Sequence, residues 1–308
     1  MRLYPHPGRA GEVLDILRRQ ARLAAEAGFD GVLISERHAV ASNIPNPLQV
    51  TGWLLDAMPS GWAAPCPLLL PLRTPAIVAE EAAWLGARFP GRVGLGVGVG
   101  GHRNQFETLG VSFDTRVDRF EPGLRLLVDT LRGHGPLAAD AAVALCRDSP
   151  IPVVSAALSE PAVDRALRAG AGIVGDSLST LDRMVELLER FDRGGGTGPR
   201  VLIRRVWIGP HPGAQAADQL AEYRAAAPAA RRRNWGDEDQ SIVAATAADL
   251  ADELAAVLAQ VGPVALNLRL HATGIPATDV EDQIRRLGAE VLPQLRPQPG
   301  RTSLASGG

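Results

Sequence analysis

Two short stretches of this chain carry the side-chain types that acid–base chemistry needs. Glu36 and His38 stand two residues apart, just past the apolar run Gly31–Ile34. Asn267, Arg269 and His271 alternate with apolar residues, so in an extended segment all three share one face. His102 and Arg103 follow a glycine-rich stretch. Histidine changes charge near neutral pH and can hand over a proton. His38, His102 and His271 are therefore the candidate catalytic groups, with Glu36 and Arg269 beside them. A different chemistry is written at Leu158-Ser159-Glu160-Pro161-Ala162. Ser159 stands where a helix over residues 160–169 would start and suits an N-cap. The free amides and dipole of such a terminus suit a phosphate, although Pro161 removes one donor. Thr246, in Thr246-x-x-Asp249, is a weaker second candidate for the same role.

Between these stretches, Gly94, Gly96, Gly98 and Gly100 alternate with Val93, Leu95, Val97 and Val99. The run from Gly96 to Gly101 spells G-x-G-x-x-G, but in a dinucleotide-binding fold those glycines form the turn after a strand and open a helix. Here they lie within the strand, so that reading is set aside. One face of the strand is bare backbone and the other is apolar. If the bare face points into a barrel, either a large flat ligand or neighbouring bulky side chains must fill the space.

The elements that position these residues alternate between strand-like and helix-like patterns. Strand-like runs are residues 31–34, 66–70, 92–99, 152–156, 172–175, 201–207 and 264–270, with 1–4 as a clipped eighth. Segments of 3.6-residue apolar period lie between them, such as Val13, Leu14, Leu17, Ala21 and Ala24 ahead of Gly28. Thr278-x-x-Glu281 reads as another capping box. Repeated βα units with buried strands imply a parallel sheet, and about eight of them predict an α/β (β/α)8 TIM barrel. A long insertion near strand 7, residues 209–240, contains Arg231-Arg232-Arg233 and is expected to pass over the barrel mouth in partly helical form. Residues 1–296 read as one domain and 297–308 as a disordered tail.

Composition narrows the chemistry further. The 308 residues include 32 Lys plus Arg, every one of them arginine, and the formal charge is −2. Without lysine there is no P-loop phosphate site and no Schiff base. The near-zero charge gives no reason to expect nucleic acid or an anionic membrane as partner. Two cysteines make neither a disulfide framework nor a zinc site, and His6 stands alone between prolines, so no metal site is expected. The N-terminus shows no apolar signal core, and the charge-free stretch 57–72 is broken by four prolines. A reducing, cytoplasmic setting is expected.

The stretch from Ala24 to Gly110 resembles the bacterial luciferase-like monooxygenases. The similarity rests on Glu26-Ala27-Gly28-Phe29-Asp30-Gly31, Ser35-Glu36-Arg37-His38 and Asn46-Pro47. It continues through Leu70-Pro71-Leu72-Arg73-Thr74-Pro75, Ala79-Glu80-Glu81, Gly91-Arg92 and Phe106-Glu107-Thr108-Leu109-Gly110, and returns at Leu266-Asn267-Leu268-Arg269-Leu270-His271. The resemblance implies a barrel enzyme that uses FMN or the deazaflavin F420, with a cis peptide at Cys66–Pro67 under the flavin ring. It implies cofactor contacts at Cys66, Pro67, Gly98, Val99, Leu158, Ser159, Ala162 and Thr246. The implied reaction is an FMNH2- and O2-dependent monooxygenation of a small organic substrate, with reduced FMN supplied by a separate flavin reductase and the enzyme a homodimer. Alternatives are an F420-dependent reductase or dehydrogenase and a non-catalytic flavin-binding subunit. Two departures stand out. In luciferase itself histidine directly follows the glutamate, whereas here Arg37 intervenes before His38. Gln105 stands where many members carry an acid.

Overall fold

The computed structural model describes residues 1–40, 44–227, 232–236 and 238–296. Arg231 of the arginine run and the expected tail 297–308 lie outside the described residues. Ten strands run through the described chain: β1 Arg2–Leu3, β2 Gly31–Ile34, β3 Trp62–Pro65, β4 Leu68–Leu69, β5 Leu95–Gly98, β6 Val153–Ala156, β7 Gly172–Val174, β8 Arg200–Ile208, β9 Ile242–Ala244 and β10 Ala265–Arg269. Their order is β3-β2-β1-β10-β8-β7-β6-β5-β4, and every pairing is parallel. Ala63 of β3 bridges Val93 ahead of β5, its N–H donating to Arg92 O at 2.9 Å. That bridge brings the two ends of the sheet together as a barrel.

The strand expected over residues 66–70 is divided. β3 lies earlier in the chain, β4 is two residues long, and Leu70–Leu72 forms a turn of 3₁₀ helix. Proline explains the break: Pro65, Pro67 and Pro71 have no N–H to give a ladder. Cys66 still donates its N–H to Ile34 O at 2.7 Å, and the Cys66–Pro67 bond between β3 and β4 is cis.

Helices cover the outside, and their apolar faces meet the outward face of the sheet. In the first, Ala10–Glu26, Leu17, Ala21 and Ala24 are buried, and Gly28 follows at φ +87°. Inside the barrel a separate small cluster packs Leu33, Ala64, Cys66, Val154, Val174, Val201 and Ile203. Branched residues dominate it, as is usual for a barrel interior, with Ala64 and Cys66 as its two small members. The insertion after β8 supplies the helix Gly213–Ala226 and then β9, a strand absent from the pattern reading because three residues carry too little alternation to register. Thr246 caps the helix Ala247–Val261 by accepting the Asp249 N–H. The box expected at Thr278 does not form. The helix Ala277–Arg286 starts behind Pro276, and the Thr278 hydroxyl turns to Asp279.

Candidate active site

A cavity of about 400 Å³ opens at the C-terminal ends of the barrel strands, where barrel enzymes place their chemistry. The glycine face of β5 points into the barrel, and Leu95 and Val97 face the outer core. Its lower glycines are packed by neighbours. A Cβ at Gly96 would lie 2.4 Å from Cys66 Sγ, and one at Gly94 would touch Ala64 at 3.5 Å. Only the upper end, Gly98 to Gly101, lines the cavity. A Cβ on Gly98 would come within 3.1 Å of Pro67 Cβ, and Gly100 needs its positive φ of +82°. Ligand space is thus confined to the last glycines of the row.

Glu36 and His38 lie on the chain leaving β2. The Glu36 carboxylate is buried and fully engaged. Its Oε2 accepts from Leu69 N–H at 2.6 Å, and its Oε1 meets Arg73 Nη2 at 2.8 Å and His38 Nε2 at 2.6 Å. The carboxylate therefore ties β2 to β4 and fixes the His38 ring. His38 itself is half-buried, and its backbone N–H reaches Gln105 Oε1 at 3.3 Å. Glu36, Gln105 and His102 line the cavity. Arg103 turns outward to Asp114, at 2.6 Å.

Across the barrel, β6 leads into the helix Glu160–Ala169. Leu158, Ser159, Ala162 and Arg165 line the cavity there. Ser159 occupies the N-cap position, yet its hydroxyl makes no cap bond. The amides of Ala162 and Val163 bond instead to Ser159 O. Arg165, one turn along, has no ion-pair partner among the described residues, and its Nε is buried without a hydrogen bond. Burial holds its guanidinium below the usual arginine range, with Glu121 partly compensating. A cation and a free hydroxyl beside a helix start make a fitting place for a phosphate. Thr246 does not line the cavity.

A third group gathers on β1 and β10. Arg269 is 3% exposed. It donates to His271 O, to Tyr223 OH at 2.9 Å and to Gln219 Oε1 at 2.5 Å, and its guanidinium stacks 4.1 Å from the Tyr4 ring. Burial alone would raise the Tyr4 phenol, but Arg2, Arg269 and Arg37 around it hold it below its ordinary value. His271 faces away from the main cavity. Its ring stacks on Tyr4 and meets His6 edge-on, both nitrogens are buried without partners, and burial lowers its pKa to about 3. Burial thus favours the uncharged imidazole, and His271 lies outside the lining of the main cavity.

The insertion closes the mouth. Trp235 packs with Leu178 and Ala227 and donates its indole N–H to Asp176 at 3.1 Å, and Asn234 Nδ2 donates to Leu158 O at 2.8 Å. The sequence pattern did not select Tyr4, Arg165, Asp176, Tyr223 or Trp235, and marked Arg37 only as a departure from the family. For Tyr4 and Asp176 a signal existed, since both follow the C-terminal ends of strands.

Comparison with known proteins settles the lineage. The profile described as luciferase-like monooxygenase matches residues 2–265. The chain belongs to the luciferase-like monooxygenase family. Among solved family-like folds, the monooxygenase RslO1 from Streptomyces bottropensis superposes with a TM-score of 0.80 at 17% identity, covering 96% of this chain and 99% of that one. The FMN complex of the oxygenating constituent of 3,6-diketocamphane monooxygenase from Pseudomonas putida gives 0.74 at 17% identity, over 94% and 95%. An F420-dependent secondary alcohol dehydrogenase holding an F420–acetone adduct gives 0.70 at 18% identity, over 96% and 97%. An uncharacterized protein of Mycobacterium bovis is 30% identical over 141 residues, 43% of this chain; the match spans about half of that relative (49%). This luciferase-like chain is thus an α/β oxidoreductase-family barrel whose fold-relatives include an FMN complex and an F420-dependent dehydrogenase. Among its described residues no group of three His, Cys, Asp or Glu is placed to hold a metal, and no helix is long and apolar enough to cross a membrane.

Proposed function

We propose that this protein is a monooxygenase that takes FMNH2 from a separate reductase and oxidises a small organic substrate in the barrel mouth. The observation that carries the reading is the pairing of two features across one cavity. The glycine backbone at Gly98–Gly101 lines the cavity beside Cys66–Pro67 and leaves a flat wall there. Ser159 and the unpartnered Arg165 offer a phosphate seat at the start of a helix.

Arg165, Ser159 and Ala162 would hold the phosphate, and Pro67, Gly98 and Val99 would bound the ring. Bound reduced flavin supplies the electrons for oxygen chemistry. The chain's own contribution is binding, orientation and exclusion of water. His102, on the cavity wall, is the group positioned to exchange a proton with a substrate at the mouth, whereas His38, fixed through Nε2 by the Glu36 carboxylate, is not part of that wall. Trp235 and Tyr223 from the insertion cover the opening and restrict water.

The test is an anaerobic titration with FMNH2, oxidised FMN and F420 in parallel, followed by admission of oxygen. Tight FMNH2 binding and oxygen consumption coupled to substrate oxidation support the reading. Binding of F420 alone, with hydride transfer independent of oxygen, would replace it with a deazaflavin oxidoreductase.

A further inference from the structure

We propose that the barrel mouth carries a second anion seat, built from Arg2, Arg37 and Arg269 around Tyr4, and that it selects a substrate bearing a carboxylate or sulfonate group. This rests on the reading of the cavity as a flavin-type oxidoreductase site. The strand register sets it up. Arg2 of β1 pairs with Arg269 of β10, and Arg269 pairs with Arg205 of β8, so three arginines stand side by side on adjacent strands about 4.8 Å apart. One of the three is neutralised, since Arg205 ion-pairs with Asp239.

The others have no carboxylate among the described residues. Arg269 is satisfied by neutral acceptors, the Gln219 amide, the Tyr223 and Ser177 hydroxyls and the His271 carbonyl. Arg2 lies over the Tyr4 ring at 5.4 Å and hydrogen-bonds the Tyr4 hydroxyl, while its Nε is buried with no hydrogen bond. The Arg37 side chain makes no hydrogen bond or ion pair to a described residue. Both acids lining the cavity are committed elsewhere. Glu36 serves Leu69, Arg73 and His38, and Asp176 serves the Leu178 and Ser179 amides and Trp235. Arg269 is buried and Arg2 and Arg37 are half-buried, and like charges gathered there without a carboxylate to neutralise them repel one another. Tyrosine faces offset part of this, but far less than an anion held by guanidinium forks would. All three arginines line the same cavity as Pro67 and Gly98.

The seat is separate from the phosphate site. In the barrel order, β1 and β6 stand four strands apart, on opposite sides of an eight-membered ring. A cofactor phosphate at Ser159 and Arg165 therefore faces the arginines across the cavity. A planar carboxylate suits the paired N–H donors of arginine, and a sulfonate offers the same acceptors.

The probes are benzoate, benzenesulfonate and the neutral isostere benzamide, titrated calorimetrically into the full-length protein with and without bound FMN. Each anion is expected to bind about tenfold or more tighter than benzamide. Arg37→Gln and Arg2→Gln are each expected to erase that preference while leaving FMN affinity within about threefold. The Arg37 side chain has no hydrogen-bond or ion-pair partner among the described residues, so its variant should keep the fold, and Arg37→Lys should retain part of the preference. Equal binding of benzamide and benzoate, or a preference that survives both Gln variants, would overturn the seat. FMN affinity falling in step with benzoate affinity would overturn its assignment to substrate, because the arginines would then serve the cofactor. If no flavin binds while the preference and its loss in both variants remain, the flavin reading fails and the anion seat stands.

Discussion

The glycine row on β5 makes opposite predictions at two positions one pleat apart. At Gly96 an added Cβ would sit 2.4 Å from Cys66 Sγ, 2.7 Å from its Cβ and 3.0 Å from its Cα. Carbon contacts normally lie near 3.5–4.0 Å, so Cys66 would have to move by about 1 Å. It is 1% exposed and anchored to Ile34 O through its N–H, so the strand must distort. Such overpacking costs about 1–3 kcal/mol, and losing a strand glycine returns about 0.5–1. The net for Gly96→Ala is a loss of about 1 kcal/mol, or about 2–4 °C in Tm. At Gly98 the nearest atom is Pro67 Cβ at 3.1 Å, with Ala156 Cβ at 3.6 Å. A shift of a few tenths of an ångström suffices, so Gly98→Ala should melt within about 2 °C of wild type. Its methyl group, however, enters the slot assigned to the ring and should weaken FMN binding about tenfold or more. Thermal melts by circular dichroism and FMN titration by fluorescence quenching read both effects. Wild-type FMN affinity in Gly98→Ala, or a wild-type melt for Gly96→Ala, would refute the division of the row into glycines packed against Cys66 and glycines lining the cavity.

Three further outcomes follow from the same geometry. Arg165→Gln should weaken FMN binding about tenfold but leave riboflavin binding unchanged, because the lost partner is the phosphate; equal losses for both ligands would place Arg165 elsewhere. Glu36→Gln removes the anion shared by Arg73, His38 and the Leu69 amide and should cost about 3–5 kcal/mol in urea unfolding, whereas an unchanged midpoint would mean the network carries little. His271, with its folded pKa lowered to about 3 by burial and then by His6 and Arg269, binds a proton more readily when unfolded. Its contribution is full above about pH 6.5 and is lost as pH falls from there toward 3, at about 1.4 kcal/mol per pH unit. Comparing pH–stability curves of wild type and His271→Gln should show a shallower acid limb in the variant, and identical slopes would count against the burial effect.

The barrel was legible in the chain because its signal is collective. Eight apolar runs separated by 3.6-period segments leave few architectures, and capping at Thr246 could be read from four letters. Strand three was misplaced because prolines removed the ladder donors that an apolar run otherwise implies. The candidate site was legible only in part. Glu36, His102 and Arg269 were found by their place after strands, and Ser159 by its place before a helix. The orientation of His271 was not, because alternation along β10 places three residues on a face without saying whether the chain still holds that direction past the strand end. Arg165 was invisible because one arginine on an amphipathic helix looks like any solvated charge until its missing partner is seen. Tyr223 and Trp235 come from an insertion whose path has no periodic signature.

The central claim is that the cavity between Gly98 and Arg165 seats a flavin phosphate and ring. A crystal structure of the protein with FMN tests it most directly. The account predicts the phosphate within hydrogen-bond distance of Arg165 and the Ser159 hydroxyl, and the ring against Pro67 and Gly98–Val99, with Arg2 and Arg37 left free across the cavity. A phosphate seated instead on Arg2, Arg37 or Arg269, or a ring outside the glycine end of β5, would contradict it.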